Sequence, residues 1–438
     1  MSNIVWVGLG NGFSLVIGFA SSILLARWLG PEARGAYALL VTSSLVLASI
    51  LGHNAWIQAL AFLTGKGYYS PPLIAGNGIL IALALTIIMA IPLVVLPQTT
   101  LASLFPEISR IHLWIILFLT SSTLLFGMLT GLLMGLNWVP LLTAVSTVKV
   151  VIALLFQIVL LGILNLGLLG ALWELILSGF LVIGLSTVIF MRLSGVELKV
   201  WPQLIKDVSA YSAKSYPGHL GVVLMSRVDI YFVALFAGLE GAGYYAIAKG
   251  LTEIVVVIEQ SITRGIVPNV ITNDFASAGS IVARAFRVTF WSNALLLLAG
   301  ALFAGQLIPL IYGPEFSGVT PAFLWLLPGT LLLTTRLLGI FFSMQIGRPE
   351  IPTYYILASG LLSLPVSYIL TRQFGYLGAA AAFSILAILR GIVAISLFVA
   401  FSEVKVKDVL LIKRDDLLLS LQMIRSWLKS QTRREQQT

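Results

Sequence analysis

Charge and cysteine are both scarce in this chain. Only 10% of its 438 residues are charged and none is cysteine, whereas about 25% of the residues in a soluble globular domain are charged. The absence of cysteine excludes a disulfide framework, a thiolate metal site and a cysteine nucleophile. The three histidines, His53, His112 and His219, lack the spacing of metal ligands, and there is no G-x-x-x-x-G-K-[ST] loop for ATP hydrolysis. We therefore expect no catalytic residue, no metal and no other cofactor.

Long apolar runs fill the chain instead. Hydrophobic residues make up 59% of the sequence, and a helix needs roughly 20 mostly apolar residues to cross a bilayer. The runs predict an all-α polytopic membrane protein with the lipid bilayer as its surroundings. Twelve transmembrane helices are expected at roughly 4–28, 36–62, 72–96, 111–135, 140–162, 167–192, 210–238, 241–266, 283–312, 319–346, 351–371 and 375–402.

The basic residues fall mainly into one set of connections. The formal charge of +9 then reflects orientation in the membrane, and no nucleic-acid partner is expected. If the N-terminus lies on the cytoplasmic side, the connections on the outer side hold only four basic residues: Arg27, Arg34, Arg110 and Arg372. The inner ones hold Lys66, Arg192, Lys199, Lys206, Lys214, Arg284, Arg287, Arg348 and eight basic residues after Phe401. The positive-inside rule therefore places both termini in the cytoplasm.

The sequence repeats itself. Aligning "ARWLGPEARGAYAL" (26–39) with "ALFAGLEGAGYYAIA" (234–248) superposes Gly30 on Gly238 and Gly35 on Gly243 at an offset of 208 residues. Two later matches follow in the same order: "GMLTGLLMGLNWVP" with "GIFFSMQIGRPEIP", and "GLLGA" with "GYLGA". Six spans per half make the repeats parallel, related by a pseudo-two-fold axis along the membrane normal. Two such lobes would enclose a central cavity.

This repeat sets the expected domains. Residues 1–193 form an N-terminal six-helix lobe and 210–402 a C-terminal six-helix lobe. Between them, 194–209 alternate apolar and basic residues, as an amphipathic linker at the membrane surface would. Residues 403–438 have the same pattern and predict a basic cytoplasmic tail. The duplicated rows of small residues, such as Gly127, Gly131 and Gly135, predict close helix packing in both lobes.

Ionisable residues interrupt the spans near mid-membrane, where each costs about 2.5–3.5 kcal/mol on insertion scales. Arg227 and Lys249 each lie eleven residues from Gly238, so they should lie at equal depth. The other central cations are Lys149, Arg336 and Arg390, and the central acids are Asp229 and Glu253. Glu174 is expected nearer the outer face, and Glu259 and Arg264 nearer the inner face.

Two interpretations of these charges are open. In one they merely pair, Arg227 and Lys249 with Glu253, and Asp229 with another cation. In the other, five central cations against two acids form one wet cavity of net positive potential. Such a cavity would attract an anion, and the rigid donor fork of arginine suits phosphate or pyrophosphate.

Several segments resemble a known family. "LLARWLGPEARGAYALL", "RVDIYFVALFAGLEGAGYYAIAKG", Pro268 and "GYLGAA" are similar to the Wzx-type oligosaccharide flippases of the multidrug/oligosaccharidyl-lipid/polysaccharide (MOP) exporter superfamily. The resemblance covers nearly the whole chain. It implies a MATE-like V of two lobes that alternates between inward- and outward-open states. The expected substrate is an undecaprenyl-pyrophosphate-linked oligosaccharide of O-antigen, capsule or exopolysaccharide, moved to the outer leaflet of a bacterial or archaeal inner membrane.

The resemblance also implies roles for residues and partners. Arg227 and Lys249 match the cavity cations that bind pyrophosphate in the family, with Arg264 and Arg336 as neighbours. Lys149 and Arg390 complete the predicted substrate-binding set. Candidates for coupling to an ion are Asp229, Glu253 and Glu259. A polysaccharide polymerase and a chain-length regulator are candidate partners.

Other functions remain open at this point. A drug/cation antiporter of the same superfamily would bind its substrate through cavity carboxylates, whereas these spans are mostly basic. Lipid II flippases usually have fourteen spans, and twelve are expected here. A membrane-embedded glycosyl- or acyltransferase would carry a carboxylate or histidine pair at one membrane surface and no duplicated half. A structural scaffold would not explain costly cations at mid-membrane.

Overall fold

The computed structural model describes residues 2–95 and 110–413, and the regular elements of these two segments are all helices. In the first half they are α1 (Ser2–Ile50), α2 (His53–Gly65), α3 (Pro71–Val95), α4 (Arg110–Gly135), α5 (Val139–Gln157) and α6 (Gly167–Ile189). The second half contains α7 (Pro202–Arg227), α8 (Asp229–Thr272), α9 (Phe275–Tyr312), α10 (Val319–Leu333), α11 (Arg336–Ile340), α12 (Glu350–Ser402) and α13 (Val406–Leu410). π-helices extend α5, α6 and α11 at Ile158–Ile163, Phe190–Ser194 and Phe341–Ile346, and a 3₁₀ turn covers Pro314–Phe316.

Within the described residues, nine helical stretches are long and apolar enough to cross a membrane. Three of them, Gly12–Ile50, Pro202–Glu253 and Glu350–Ser402, have 39, 52 and 53 residues. At 1.5 Å per residue, each would far exceed the roughly 30 Å of a hydrocarbon core. Each also contains a glycine with non-helical dihedral angles: Gly30, Gly238 and Gly375. The count of twelve spans and the sides of the termini stay predictions.

The repeat seen in the sequence is present in the backbone. Gly30 has φ 72° and ψ 174°, and Gly238 has φ 71° and ψ −177°. The later pair, Gly167 and Gly375, has φ 54° and 59°. Only glycine adopts these angles without strain. The matched glycines therefore mark the same chain reversals in both halves.

The two copies of the opening motif pack against each other. A methyl group placed on Gly35 would overlap the carbonyl of Leu239, and one on Gly243 would overlap the carbonyl of Pro31. At the offset of 208 residues, Gly35 matches Gly243 and Pro31 matches Leu239, so the contact is nearly symmetric. The repeated glycines are where the halves meet.

Other contacts join the two halves on the same side as the glycine contact. The charge distribution predicts that this side faces outward. Arg27 in α1 donates from Nε and Nη2 to the carbonyls of Ile311 and Leu310, each at 2.7 Å. These carbonyls lie in the last turn of α9, where they lack partners within the helix and attract a cation. An apolar cluster shared by the halves surrounds the contact, with Ala26 and Ala38 packed beside Val233, Ala242 and Tyr245.

The duplicated small-residue rows differ between the halves. In α4, methyl groups on Gly127, Gly131 and Gly135 would collide with atoms of α2, so this row packs helices as predicted. In the second half, a methyl on Gly339 would meet its nearest atoms at 3.6 Å, and one on Gly347 would meet nothing within 4 Å. The prediction of close packing is wrong for these two glycines, and Gly339 lines a cavity instead.

The predicted linker is attached to the first half. Asn77 in α3 donates to the carbonyl of Lys199 at 3.0 Å and accepts from the backbone N–H of Trp201 at 3.0 Å. One and two turns into α7, Leu204 and Val208 are completely buried in the core of the first half. Further along, Gly221 of α7 packs against α12. Helix α7 therefore bridges the two halves.

Only the start of the predicted tail lies in the described part of the chain. Val409 in α13 is completely buried, and the indole of Trp291 donates to the carbonyl of Leu410 at 2.9 Å. This short helix therefore packs on α9. Residues 414–438, which carry most of the expected basic tail, lie outside the described residues.

We expect Gly243→Ala to open the side closed by the paired glycines, because the added methyl overlaps the Pro31 carbonyl. The natural absence of cysteine allows a single Thr42→Cys probe in the cavity below. Labelling by a membrane-impermeant maleimide from the outer side should become several-fold faster. Gly184→Ala is the control, since a methyl there meets nothing within 4 Å. Equal labelling rates in the two variants would contradict the assignment of this contact as a closure.

Candidate functional site

A cavity of about 200 Å³ lies between the halves, below the glycine contact. Helix α1 supplies one wall, while the end of α7 and the middle of α8 supply the other. Because both halves line the cavity, any relative movement of the halves changes its shape and access. The lining residues are Arg34, Tyr37, Ala38, Val41, Thr42, Ser226, Arg227, Asp229, Ile230, Tyr245, Ala246, Lys249, Gly250 and Glu253.

A buried ion pair forms one side of this cavity. The Nζ of Lys249 donates to Oδ2 of Asp229, and their side chains are only 14% and 5% exposed. The hydroxyl of Tyr245, one helical turn before Lys249, donates to the same oxygen. Asp229 also accepts at Oδ1 from the backbone N–H of Ile230 at 3.0 Å. The carboxylate is thus fully engaged, and the cation that sequence analysis left unnamed for Asp229 is Lys249.

A second, exposed ion pair faces the same space. Nη2 of Arg227 lies 3.4 Å from Oε1 of Glu253, and the two side chains are 38% and 56% exposed. This is the pairing that the sequence suggested for Arg227. Exposed pairs of this kind contribute only about 0–1 kcal/mol to stability. The guanidinium can therefore exchange its partner at little cost.

Arg34 is a cavity residue that the sequence placed in an outer connection. It lies one turn after the kink at Gly30, and its guanidinium carbon is 5.4 Å from the ring centroid of Tyr37. Its buried Nε has no hydrogen-bond partner among the described side chains. The sequence did not predict that Arg34 lines a cavity, which it does because the second arm of α1 follows the lobe interface after the kink. Counting residues from a turn predicts how deep a residue lies in the membrane, but not which neighbouring helices its side chain faces.

The fold has relatives among solved structures. No protein-family model matches the sequence, and no curated protein matches it. An inward-facing multidrug resistance MATE family transporter of the MOP superfamily superposes with a TM-score of 0.70 and 14% identity, covering 90% of this chain and 96% of the transporter. The chain has a MATE-like fold. The outward-facing form of such a transporter gives a TM-score of 0.62 with 15% identity, over 92% and 97% of the two chains.

A flippase shares the MATE-like fold as well. The lipid II flippase MurJ, in an inward closed conformation, superposes with a TM-score of 0.67 and 16% identity, over 96% of this chain and 93% of MurJ. At such identities the likeness establishes the fold of the chain and leaves its substrate open.

Within this MATE-like fold the five central cations do not share one cavity, contrary to the sequence prediction. The central cavity holds three cations, Arg34, Arg227 and Lys249, with the carboxylates of Asp229 and Glu253. Arg336 and Arg390 line a different cavity. Lys149 lies inside the first half, with Nζ 5.2 Å from the ring centroid of Phe126. Equal depth in the membrane did not imply a common cavity, because the residues face different helix neighbours.

The remaining predicted residues are placed as follows. Glu259 is buried, with 4% of its surface exposed, and interacts electrostatically with Arg336 and Arg390 rather than with the central cations. Arg264 belongs to α8, and its side chain lies outside the described part of the chain. The roles in ion coupling and substrate binding remain predictions for all of them.

Glu174, which the sequence placed nearer the outer face without a role, is a further candidate residue. It is 2% exposed, and the hydroxyl of Tyr37, which lines the cavity, donates to its Oε2 at 3.2 Å. Tyr37 matches Tyr245 in the repeat, so each half uses the same tyrosine to bind a buried carboxylate of its own, Glu174 or Asp229. The partners Tyr37 and Glu174 are 137 residues apart, and no local sequence signal predicts this contact.

We expect Lys249→Met to destabilise the protein by about 3–5 kcal/mol, because it leaves the buried carboxylate of Asp229 without its cation. The double variant Asp229→Asn/Lys249→Met should recover much of that loss. Melting temperatures of the purified variants, followed by tryptophan fluorescence, measure both effects.

The control for this pair is Glu350→Gln, which breaks the Arg348–Glu350 pair. Its side chains are 57% and 42% exposed, so the change should be at most about 1 kcal/mol. If Lys249→Met were no more harmful than Glu350→Gln, or the double variant lost the sum of the single losses, Asp229 and Lys249 would not be a coupled buried pair.

Proposed function

We propose that this protein is a flippase that moves a polyprenyl-pyrophosphate-linked oligosaccharide from the cytoplasmic to the outer leaflet of a cell membrane. The observation that carries the proposal is the central cavity, in which Arg34 of one half faces Arg227 and Lys249 of the other. Cations contributed by both halves suit an anionic group that is bound in one state and released when the halves move apart.

Arg34 and Arg227 are the best placed to bind phosphate oxygens. The three cations and two carboxylates of the cavity leave one net positive charge. Lys249 is held by Asp229, so the excess falls on the two arginines. Arg227 is paired with the exposed carboxylate of Glu253, which a pyrophosphate could replace through paired N–H···O bonds. Lys249 then holds Asp229 and Tyr245 in place and adds positive potential.

The size of the cavity assigns the anionic head and the sugars to different spaces. About 200 Å³ is below the roughly 300–1,000 Å³ of a typical ligand pocket, so it suits a pyrophosphate and not an oligosaccharide. A neighbouring cavity of about 300 Å³ shares Gly250 and Glu253 with it and is lined also by Leu15, Phe19 and Ser22. We expect the first sugars to enter that space and the lipid tail to remain in the bilayer.

Coupling to an ion is proposed through Glu253. Glu253 lines the central cavity and its carboxylate is exposed there. The carboxylate of Asp229, another predicted candidate, is paired with Lys249 and hydrogen-bonded by Tyr245. Protonation of Glu253 would release Arg227 for the substrate. This arrangement supports a flippase better than a drug/cation antiporter, because the described lining of the cavity has more cations than carboxylates.

We expect Arg34→Gln and Arg227→Gln each to slow flipping about tenfold or more, because each removes a charge-assisted contact to pyrophosphate. The assay uses proteoliposomes and a fluorescent polyprenyl-pyrophosphate oligosaccharide, with quenching from outside as the measure of transfer. Arg348→Gln, which removes an exposed arginine that does not line the cavity, is the matched control.

Two outcomes would contradict the proposal. One is wild-type flipping by the double variant Arg34→Gln/Arg227→Gln at normal levels of inserted protein. The other is transport of an organic cation by the wild-type protein with no transfer of the lipid-linked substrate, which would favour the antiporter.

A further inference from the structure

A second cavity, of about 270 Å³, lies inside the second half. It is lined by α8, α11 with its π-helical extension, and both arms of α12. It shares no lining residue with the central cavity. Its volume is far above the roughly 10–15 Å³ that one water molecule needs, so a hydrated polyatomic ion fits.

The lining of this cavity is rich in hydrogen-bond donors. Arg336 and Arg390 both face it, and no carboxylate is among its described lining residues. Thr335 and Ser343 use their hydroxyl hydrogens on the carbonyls of Leu332 and Gly339. Besides the hydroxyl of Thr263, the described side chains left to donate to a ligand are the two arginines and the phenol of Tyr355.

Arg390 is poorly satisfied for a buried charge. It is 3% exposed, and its Nη1 donates at 2.8 Å to the sulfur of Met225, which is a weak acceptor. Its Nη2 has no hydrogen-bond partner among the described residues. An ionised group buried in this way is strongly unfavourable unless an anion compensates it.

The protein supplies one compensating charge. Glu259 is buried beside the cavity and interacts with Arg336 and Arg390. Its Oε2 also lacks a hydrogen-bond partner among the described side chains. Among the described residues, one carboxylate against two guanidinium groups leaves one positive charge for a ligand to neutralise.

The repeat gives an independent indication that this space is functional. The residue matched to Gly339 is Gly127, which packs tightly against the ring of His53. In the second half Gly339 and Ser343 of the same row line the cavity instead, and a methyl built on Gly339 would make only ordinary contacts, at 3.6 Å, with Pro352 and the hydroxyl of Tyr355. One copy closes the helix interface and the other keeps it open around two arginines.

We infer that this cavity is a second anion site, which binds a phosphate group through Arg336, Arg390 and Tyr355 while Glu259 balances the charge of the empty site. A phosphate presents several acceptor oxygens to the forked donors of two arginines. The inference does not depend on the proposed function, because it uses no residue of the central cavity. The phosphate can belong to a free anion or to a lipid headgroup.

The experiment must distinguish phosphate bound in the second cavity from phosphate bound in the central cavity. All variants carry Arg34→Gln/Arg227→Gln, which removes the central arginines. The purified protein is melted in phosphate-free detergent at constant ionic strength, with its ten tryptophans as the reporter, and inorganic phosphate is titrated in place of chloride. We expect phosphate to raise the melting temperature, and Arg336→Gln to weaken the apparent affinity about tenfold or more.

Arg348→Gln in the same background is the matched control, since Arg348 is exposed and paired with Glu350. Tyr355→Phe should weaken phosphate binding less than Arg336→Gln does, because it removes a neutral donor. If Arg390→Gln does not fold, Arg336→Gln and Tyr355→Phe still decide the question. An identical phosphate response in Arg336→Gln and Arg348→Gln would overturn the inference.

A second arm identifies the source of the phosphate. The same variants are melted in phosphatidylcholine nanodiscs with and without phosphatidic acid, in the absence of free phosphate. Stabilisation that Arg336→Gln abolishes assigns a lipid phosphate if it appears only with phosphatidic acid, and a soluble one if it appears only with inorganic phosphate. No stabilisation by either probe would overturn the inference.

Discussion

The halves of this protein meet where two backbones touch without side chains between them. Gly35 lies against the carbonyl of Leu239 and Gly243 against that of Pro31. In lipid there is no hydrophobic force to bring helices together, so close packing of small residues must supply the attraction. The central cavity depends on this contact, because it lies between the arms of α1 and α8 that begin at the paired kinks. Any side chain at either glycine would push these arms apart.

The kinks also determine which charges face the cavity. After Gly30 the second arm of α1 brings Arg34 and Tyr37 to the lobe interface, and after Gly238 the second arm of α8 brings Tyr245 and Lys249 there. Two buried carboxylates have partners within their own half: Asp229 pairs with Lys249, and Glu174 accepts a hydrogen bond from the hydroxyl of Tyr37. What remains available to a solute is the less buried guanidinium of Arg227 and the unpaired Nε of Arg34.

The sequence predicted the features that depend on position along a helix. The turns at Gly30 and Gly238, and the common cavity of Arg227 and Lys249, followed from a repeat and from counting residues from a turn. It did not predict features that depend on which helices are neighbours. Arg34, Glu174, and the separation of Arg336 and Arg390 from the central site all belong to this second group. A helical period specifies a face, but only tertiary packing specifies what that face meets.

The two halves of this one chain match closely at some positions and differ at others. Gly35 and Gly243, identical in both copies, lie where one half contacts the other, since a symmetric contact needs the same residue twice. The central cavity has positions of both kinds: Tyr37 and Tyr245 are identical and each donates to a buried carboxylate, whereas Arg34 is matched by the buried Ala242. A solute in an asymmetric cavity meets each half differently, so the residues that contact it need not be the same in both copies.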